Sequence, residues 1–73
     1  MIDTTYDPDA DAVYFRIGRG KILESEETGP FITDFDAEGR VIGIEVLSAS
    51  KVLAPGDWQT ARLPRRRDVD AAE

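Results

Sequence analysis

Cysteine and histidine are both absent from the 73 residues of this chain. Without cysteine, no disulfide can reinforce the fold. Without either residue, the usual zinc sites, a Ser-His-Asp triad and a Cys-His dyad are excluded. The side chains left for chemistry are carboxylates, hydroxyls, lysines and arginines. We expect a protein that is not an enzyme and that holds no cofactor, an expectation that rests also on the charge and size of the chain.

Long apolar runs are also missing from the sequence. No stretch approaches the length of a membrane span or of a signal-peptide core, so we expect a cytoplasmic protein without a membrane segment. A domain of this size buries only about 60% of the surface that its unfolded chain exposes, so its core is thin. Thin cores often gain stability by association, and we expect a homodimer or a higher homo-oligomer.

Positive charge is in deficit, with a net charge of -6 and a pI near 4.5. Residues 1–60 carry 12 acidic and 5 basic groups, whereas residues 61–73 carry 3 acidic and 4 basic groups. Because phosphate binding needs a cationic surface, nucleic acid is not expected as a partner, except through the tail arginines Arg62, Arg65, Arg66 and Arg67. Residues 1–60, which are acidic overall, are suited instead to binding a basic partner protein.

The clearest structural signal is the stretch FITDFDAEGRVIGIEVLSAS at residues 31–50. Residues 31–35 alternate apolar and polar side chains, and residues 41–47 are rich in β-branched side chains, so each segment predicts a strand. The polar residues between them include Gly39, where a tight hairpin requires a positive φ. The stretch therefore predicts a β-hairpin.

Earlier segments add further strands to this hairpin. Residues 2–6 predict an edge strand, residues 12–17 a half-buried strand, and residues 21–28 an acidic edge strand or an ordered loop. The sequence DPDAD at residues 7–11 predicts a turn whose aspartates accept backbone hydrogen bonds. We expect an α+β (mostly β) fold, with a small antiparallel sheet of three to four strands in meander order and a short C-terminal helix.

The C-terminal part begins at Ser48, a cap-like residue that predicts a helix of one or two turns ending before Pro55. We assign residues 1–56 to a single β-rich domain and residues 57–73 to a tail that is partly ordered to disordered. Trp58 is either an interface anchor or a lid over the thin core.

The two faces of the predicted sheet differ in polarity. Six apolar residues that share one face of the central strands form the expected core, namely Val13, Phe15, Ile17, Ile42, Ile44 and Val46. Either Phe31 and Phe35 or Ile32 is expected to join them. The other face carries Val41, Glu45 and Leu47. Because that face is not fully polar, we expect a partner subunit or the C-terminal segment to cover it. Val41, Leu47 and Trp58 are therefore the interface candidates.

Four acidic residues have the spacing of a calcium loop, namely Asp34, Asp36, Glu38 and Glu45. An EF-hand loop needs a helix on each side, but both flanks here are strand-like, so we favour a polar hairpin turn without a metal. Glu45 has two interpretations of its own. It is a functional carboxylate with a raised pKa, or an outward carboxylate paired with Arg16 or Lys51, and we favour the pair.

Two motifs resemble a family of small bacterial proteins, the domain of unknown function 2283. YDPDADAVYF at residues 6–15 is similar to the opening motif of that family, and DFDAEGRVIGIEVL at residues 34–47 is similar to its second motif. With ASK at residues 49–51, the resemblance covers residues 2–53. The family has no established activity, so the resemblance implies no site residues. Some members are encoded beside toxins of type II toxin–antitoxin systems, which implies an antitoxin-like or other protein-binding role.

Charge, size and this resemblance favour a non-enzymatic protein-interaction module, an antitoxin-like partner of a basic toxin. The alternative is a small-ligand or metal-binding domain, or an enzyme, that uses an acidic cluster of Asp34, Asp36 and Glu45. That alternative requires Asp34 and Glu45 to lie on one face of the sheet. A purely structural homo-oligomer is a third hypothesis.

Overall fold

The computed structural model describes residues 2–64 of the chain. Five strands and two short helices follow one another in this part. They are β1 (Asp3–Asp7), β2 (Ala12–Arg16), β3 (Glu24–Thr28), β4 (Phe31–Phe35), β5 (Val41–Val46), α1 (Ala49–Val52) and a single-turn 3-10 helix, η1 (Asp57–Thr60). The mostly β class with a short C-terminal helix is confirmed. No helix among the described residues is long and apolar enough to cross a membrane.

The strands form one open antiparallel sheet in the order β1-β2-β5-β4-β3. The prediction of three to four strands in meander order is therefore wrong in number and in part of the order. Only β3, β4 and β5 form a meander, because β5 continues into the sheet between β4 and β2. This placement gives the most apolar strand a hydrogen-bonded neighbour on each side, which satisfies its buried backbone groups.

The register of β5 with its neighbours decides which side chains share a face. Val13 lies opposite Val46, Phe15 lies opposite Ile44, and Phe31 lies on the other side of Val46. Directly opposed residues project to the same side of a sheet. We call this side, which α1 and η1 pack against, the covered face.

The core lies between the covered face and the chain that follows β5. Val13, Val46 and Ala49 are buried together, and the aromatic rings of Tyr6 and Trp58 pack against them. These two rings meet edge to face, with centroids 5.1 Å apart. The Trp58 indole Nε1–H also donates to the carbonyl of Ala54, at 2.7 Å. Trp58 is therefore a lid over the core in this structure, which is one of its two predicted roles.

Five of the six expected core residues are buried or half-buried, and Ile17 is the exception with 44% of its surface exposed. Ile17 lies one residue beyond the end of β2 and outside the cluster around Val13. The C-terminal segment covers the apolar face of the sheet. Within residues 2–64 this segment packs mainly on the apolar face and not over Glu45, and cover of the face with Glu45 by a partner subunit stays a prediction.

The start of α1 is capped from a distant turn. The predicted cap, Ser48, has a left-handed φ of 55° and makes no side-chain cap bond. Asp11 caps the helix instead, because its carboxylate accepts the Ser50 N–H at 3.1 Å and the Ser50 hydroxyl at 2.6 Å. These bonds hold the pKa of Asp11 below its usual value, the Ser50 hydroxyl being the largest cause. Asp7 meets the turn prediction, since it accepts the N–H of Asp9 at 3.0 Å.

The two edges of the sheet differ. At the β1 edge, Arg62 pairs with Thr5 as an isolated parallel bridge, and its carbonyl accepts the N–H of Tyr6 at 3.0 Å. At the other edge, all five residues of β3 are exposed, and no described residue pairs with its outer side. Trp58 and Arg62, which the sequence assigns to the tail, thus contact the sheet. The tail arginines Arg65, Arg66 and Arg67 lie outside the described residues.

Candidate functional site

The side of the sheet opposite the covered face carries two rows of mostly polar side chains. We call this side the open face. One row crosses the strands through Asp3, Arg16, Gly43, Asp34 and Ser25. The next row crosses them through Thr5, Tyr14, Glu45, Ile32 and Glu27. The antiparallel register therefore brings residues from all five strands to one surface.

Tyr14 reaches across the open face over Gly43. A Cβ added to Gly43 would lie 2.0 Å from the phenol oxygen and 2.6 Å from Cζ of Tyr14, so the ring occupies the space of a side chain. The hydroxyl continues past β5 and donates to Asp34 Oδ2 at 2.9 Å. Burial of the ring, followed by the bond to Asp34, raises the pKa of Tyr14 to about 12. The glycine in β5 is required by this close approach.

Asp34 is the most buried acidic group of the site, with 8% of its surface exposed. Its Oδ2 accepts the Tyr14 hydroxyl, and its Oδ1 accepts the hydroxyl of Ser25 at 2.6 Å. No ion pair joins Asp34 to a basic side chain within residues 2–64. The carboxylate is thus held by two neutral donors, Ser25 on the neighbouring strand β3 and Tyr14 on β2, beyond β5.

Glu45 lies beside this network. It is directly opposite Tyr14, and both belong to the second of the two rows. Its burial, and secondarily the charge of Asp34, raise the pKa of Glu45. The predicted ion pairs with Arg16 and Lys51 are not formed within the described chain. The Arg16 guanidinium instead donates to the carbonyl of Gly18 at 2.8 Å, and Lys51 belongs to α1 on the covered face.

A groove runs over these residues. Its volume is about 880 Å³, and Tyr14, Ser25, Asp34 and Glu45 contribute to its lining. Basic side chains line it as well, namely Arg16, Lys21 and Arg62. We call this concavity the open-face groove. A smaller concavity of about 450 Å³ lies on the covered face, between Phe15 and Trp58.

The four residues with calcium-loop spacing are not brought together. Asp34 and Glu45 share the open face, as the alternative function required, but Asp36 and Glu38 lie in the β4–β5 turn. The Asp36 carboxylate accepts the N–H of Arg40 at 2.9 Å and pairs with the Arg40 side chain at 3.0 Å. The backbone bond from Arg40 is the largest cause of the lowered pKa of Asp36.

This geometry is that of the favoured hairpin turn, with Gly39 at a φ of 79°. No group of three or more acidic residues in the described chain could hold a metal ion. The acidic side chains of the turn therefore hold Arg40, and the two acids of the open face stand apart from them.

The three interface candidates lie on different surfaces. Val41, at the start of β5, is 42% exposed, and Leu47, just after β5, is half-buried. Trp58 packs on the covered face. They do not form one continuous patch, and each remains a prediction.

Sequence reasoning missed Tyr14, Ser25 and Gly43 as members of the site. A glycine in the interior of a strand often marks the close approach of another group. Gly43 stands between Ile42 and Ile44 in an otherwise regular strand, so this signal was present in the sequence. Nothing local indicated that Tyr14 would be the group that approaches.

A family model described as "Protein of unknown function (DUF2283)" matches residues 3–50, which is more than half of the 73-residue chain. The chain belongs to the DUF2283 family. The match spans all five strands and the first half of α1, so it contains every residue of the Tyr14–Asp34 network. The DUF2283 region ends before η1 and Trp58. Comparisons with curated proteins and with solved structures found no match.

Proposed function

We propose that this chain is a non-enzymatic, cytoplasmic protein-interaction module that binds a basic protein, as an antitoxin binds a basic toxin. The observation that carries the proposal is the outer edge of β3. All five residues of this strand, ESEET, are exposed, and they pair with β4 on one side only.

The β3 edge can accept another strand. An edge strand presents unpaired backbone N–H and C=O groups, and an extended segment of a partner can complete the ladder there. The β1 edge is less suited to this mode, because Arg62 pairs with Thr5 along it. The sheet thus offers one edge for strand addition within residues 2–64.

The charge of β3 favours a basic partner over a second copy of the chain. Glu24, Glu26 and Glu27 are all exposed. Two β3 strands pairing with each other would bring glutamates together, whereas a strand carrying lysine or arginine would form opposite-charge pairs of roughly 0.2–1 kcal/mol each. The net charge of -6 also speeds association with a cationic protein.

Self-association is the second part of the proposal, and its contacts lie away from β3. Val41 is an exposed apolar side chain on β5, and Leu47 follows the same strand. We propose that a homodimer or a higher homo-oligomer uses Val41 or Leu47, at the two ends of β5, which leaves the β3 edge available for the basic protein.

The test is co-expression with the product of the adjacent gene, followed by light scattering of the purified material. We expect a heteromeric complex whose stability falls as salt rises. The variant E26K/E27K should weaken the complex by about tenfold or more, because it reverses the charge of the edge. The matched control D9K/E38K makes the same change in net charge at two exposed acids away from β3.

Two results would count against the proposal. One is a chain that purifies without any partner when the adjacent gene is expressed. The other is an equal loss of binding in E26K/E27K and in D9K/E38K, which would assign the attraction to net charge instead of to β3.

A further inference from the structure

We propose that the three arginines that follow Pro64, at residues 65–67, dock in the open-face groove of their own chain and cover that side of the sheet. These residues lie outside the described part of the chain. Support comes from the path by which residues 61–64 reach the groove, from the charge of its lining and from the face that it leaves uncovered. The groove is separate from the β3 edge, so this docking does not rest on the protein-interaction proposal.

The chain after η1 passes from the covered face to the open face along the β1 edge. Ala61 lines the concavity on the covered face, whereas Arg62 and Pro64 line the open-face groove. The carbonyl of Arg62 accepts the N–H of Tyr6 at 3.0 Å, and its side chain forms an ion pair with Asp3. The segment is therefore fixed to β1 at the point where it enters the open face.

From this point the following residues are within reach of the groove. The bridge between Arg62 and Thr5 is parallel, so the chain runs alongside β1 toward the β1–β2 turn, where Asp7 lines the groove together with Pro64. Three extended residues span roughly 10 Å, and β5 lies two strand spacings, roughly 10 Å, inward from β1. The outer edge of β3 is four spacings from β1, roughly 19 Å, and lies beyond the same three residues.

The groove offers carboxylates to these arginines. Asp7 and Glu45 line it, and neither forms an ion pair within residues 2–64. Asp34 also lines it, but both of its oxygens accept hydroxyls, and Arg16 interacts with Tyr14 beside it. We therefore assign the contacts to Asp7 and Glu45, because a guanidinium can pair with a carboxylate through two parallel N–H bonds.

The open face also has apolar surface to cover. Ile22 at the groove is 39% exposed, and Ile32 is half-buried in the row that contains Glu45. Within residues 2–64 the two short helices pack on the opposite side of the sheet. Arginine suits such a mixed surface, since its aliphatic stem covers apolar groups while its charged head pairs with acids. The segment at residues 65–67 thus matches the open face in both charge and polarity.

The experiment is an NMR measurement of backbone order parameters for residues 65–67 in the isotope-labelled 73-residue protein. We expect values above about 0.6, as for a docked segment. Sodium chloride at about 1 M shortens the screening length to about 3 Å and should lower the values below about 0.6. Dilution of the protein by about tenfold should not change them, because the contact lies within one chain.

A matched pair of variants tests the groove. E45Q removes one carboxylate from its lining and should lower the order parameters of residues 65–67. E24Q makes the same chemical change on β3, at a residue that does not line the groove, and should leave the order parameters as in the wild type. The measurements at low and high salt need only the wild-type protein, so they remain decisive if E45Q does not fold.

A second matched pair tests the arginines. R66Q/R67Q should shift the amide resonance of Glu45, because it removes the contact from above. R19Q/K51Q makes the same change in net charge at two exposed residues that do not line the groove, and it should shift this amide less than half as much.

Four results would overturn the proposal. These are wild-type order parameters below about 0.6 at residues 65–67, order that persists in about 1 M sodium chloride, equal effects of E45Q and E24Q, and a loss of order on dilution, which would assign the contact to a second copy of the chain. Failure here is separable from failure of the protein-interaction proposal. E26K/E27K should keep the order of residues 65–67, and R66Q/R67Q should keep the basic protein partner.

Discussion

The covered face of the sheet buries apolar side chains beneath α1 and η1, whereas the open face buries a carboxylate among the side chains of its own strands. Val13 and Val46 are shielded by a segment that follows them in the chain. Asp34 is shielded by Tyr14 and Ser25, which project from the same side of the sheet. Alternate residues of the same strands thus achieve burial in two different ways.

This difference predicts different sensitivities. The covered face depends on large side chains that fill the space below the helices, so truncation should damage it. The open face depends on a missing side chain, because Tyr14 crosses the sheet in the space above Gly43. Adding a single methyl group should therefore damage the open face more than most deletions damage the covered one.

The largest effect is expected from Gly43→Ala. Its Cβ would lie 2.0 Å from the Tyr14 hydroxyl, so the ring must move, which disturbs its bond to Asp34. We expect the free energy of unfolding to fall by about 3 kcal/mol, measured by urea denaturation. The control is Gly18→Ala, whose Cβ meets Ile42 at an ordinary 3.5 Å and should change stability by less than about 0.5 kcal/mol.

The assignment of this effect to Tyr14 can be checked with a double-variant cycle. In a Tyr14→Ala background the clash is absent, so the added cost of Gly43→Ala should shrink by about half or more. Equal costs of Gly43→Ala and Gly18→Ala, or strict additivity with Tyr14→Ala, would contradict the account of the open face.

The next effect is expected from Trp58→Ala on the covered face. The indole packs against Tyr6 and the core, and its removal opens the edge of the cluster. We expect a loss of about 2 kcal/mol in the free energy of unfolding, less than for a fully buried tryptophan, and a partial recovery in Trp58→Phe. Leu63→Ala, at a position 63% exposed, serves as the control and should have little effect.

A smaller effect should come from Tyr14→Phe, which keeps the ring but leaves Asp34 Oδ2 without its hydroxyl donor. We expect a loss of about 1–1.5 kcal/mol in the free energy of unfolding. The matched change on the covered face is Tyr6→Phe, which removes a hydroxyl that donates to Asp11 at 2.9 Å. Asp11 keeps its bonds from Ser50, so Tyr6→Phe should cost less than half as much. Equal costs of Tyr14→Phe and Tyr6→Phe would show that the burial of Asp34 does not increase the cost of losing its hydroxyl donor.

The smallest effect concerns the pH dependence of stability. The folded-state pKa of Glu45 is raised above its usual 4.5, so the folded protein holds this proton more tightly than the unfolded chain does. The resulting stabilisation is fully present below pH 4.5 and is lost as the pH rises through the folded-state pKa. E45Q has no titrating carboxyl group at this position, so its stability does not fall with rising pH for this reason.

We therefore expect the free energy of unfolding of E45Q, relative to wild type, to increase from about pH 4 to about pH 7. Urea denaturation over a series of pH values measures it. Asp11 and Asp36 have lowered pKa values and lose stabilisation as the pH falls, but both are present in the two proteins and cancel in the difference. A difference that does not vary with pH would contradict the burial of Glu45.

Much of the fold follows from local sequence patterns. Three strands, β2, β4 and β5, fall within segments whose alternation or β-branched content predicted strands, and Gly39 has the positive φ that the hairpin required. β1 overlaps the edge strand predicted at residues 2–6, and β3 lies in the acidic segment that was left open between an edge strand and a loop. The helix after β5 was predicted from the serine at 48, although Asp11 caps it. Such a cap, between residues 39 positions apart, cannot be read from the spacing of neighbours.

The open-face network was beyond sequence reasoning for the same reason. Tyr14 and Asp34 are 20 residues apart, and their contact depends on β5 lying between β2 and β4. The period-two pattern indicates which residues share a face of a strand, but it contains no information on which strands are neighbours.

The sequence by itself determined the mostly β class, the acidic character, the family and the hairpin turn, because each depends on composition or on residues close in the chain. The tertiary structure decided the strand order, and with it the meeting of Tyr14, Asp34 and Glu45 and the difference between the two edges. The physical reason is that strand pairing is a choice among distant segments, made by the burial of the whole sheet and not by any one of its strands.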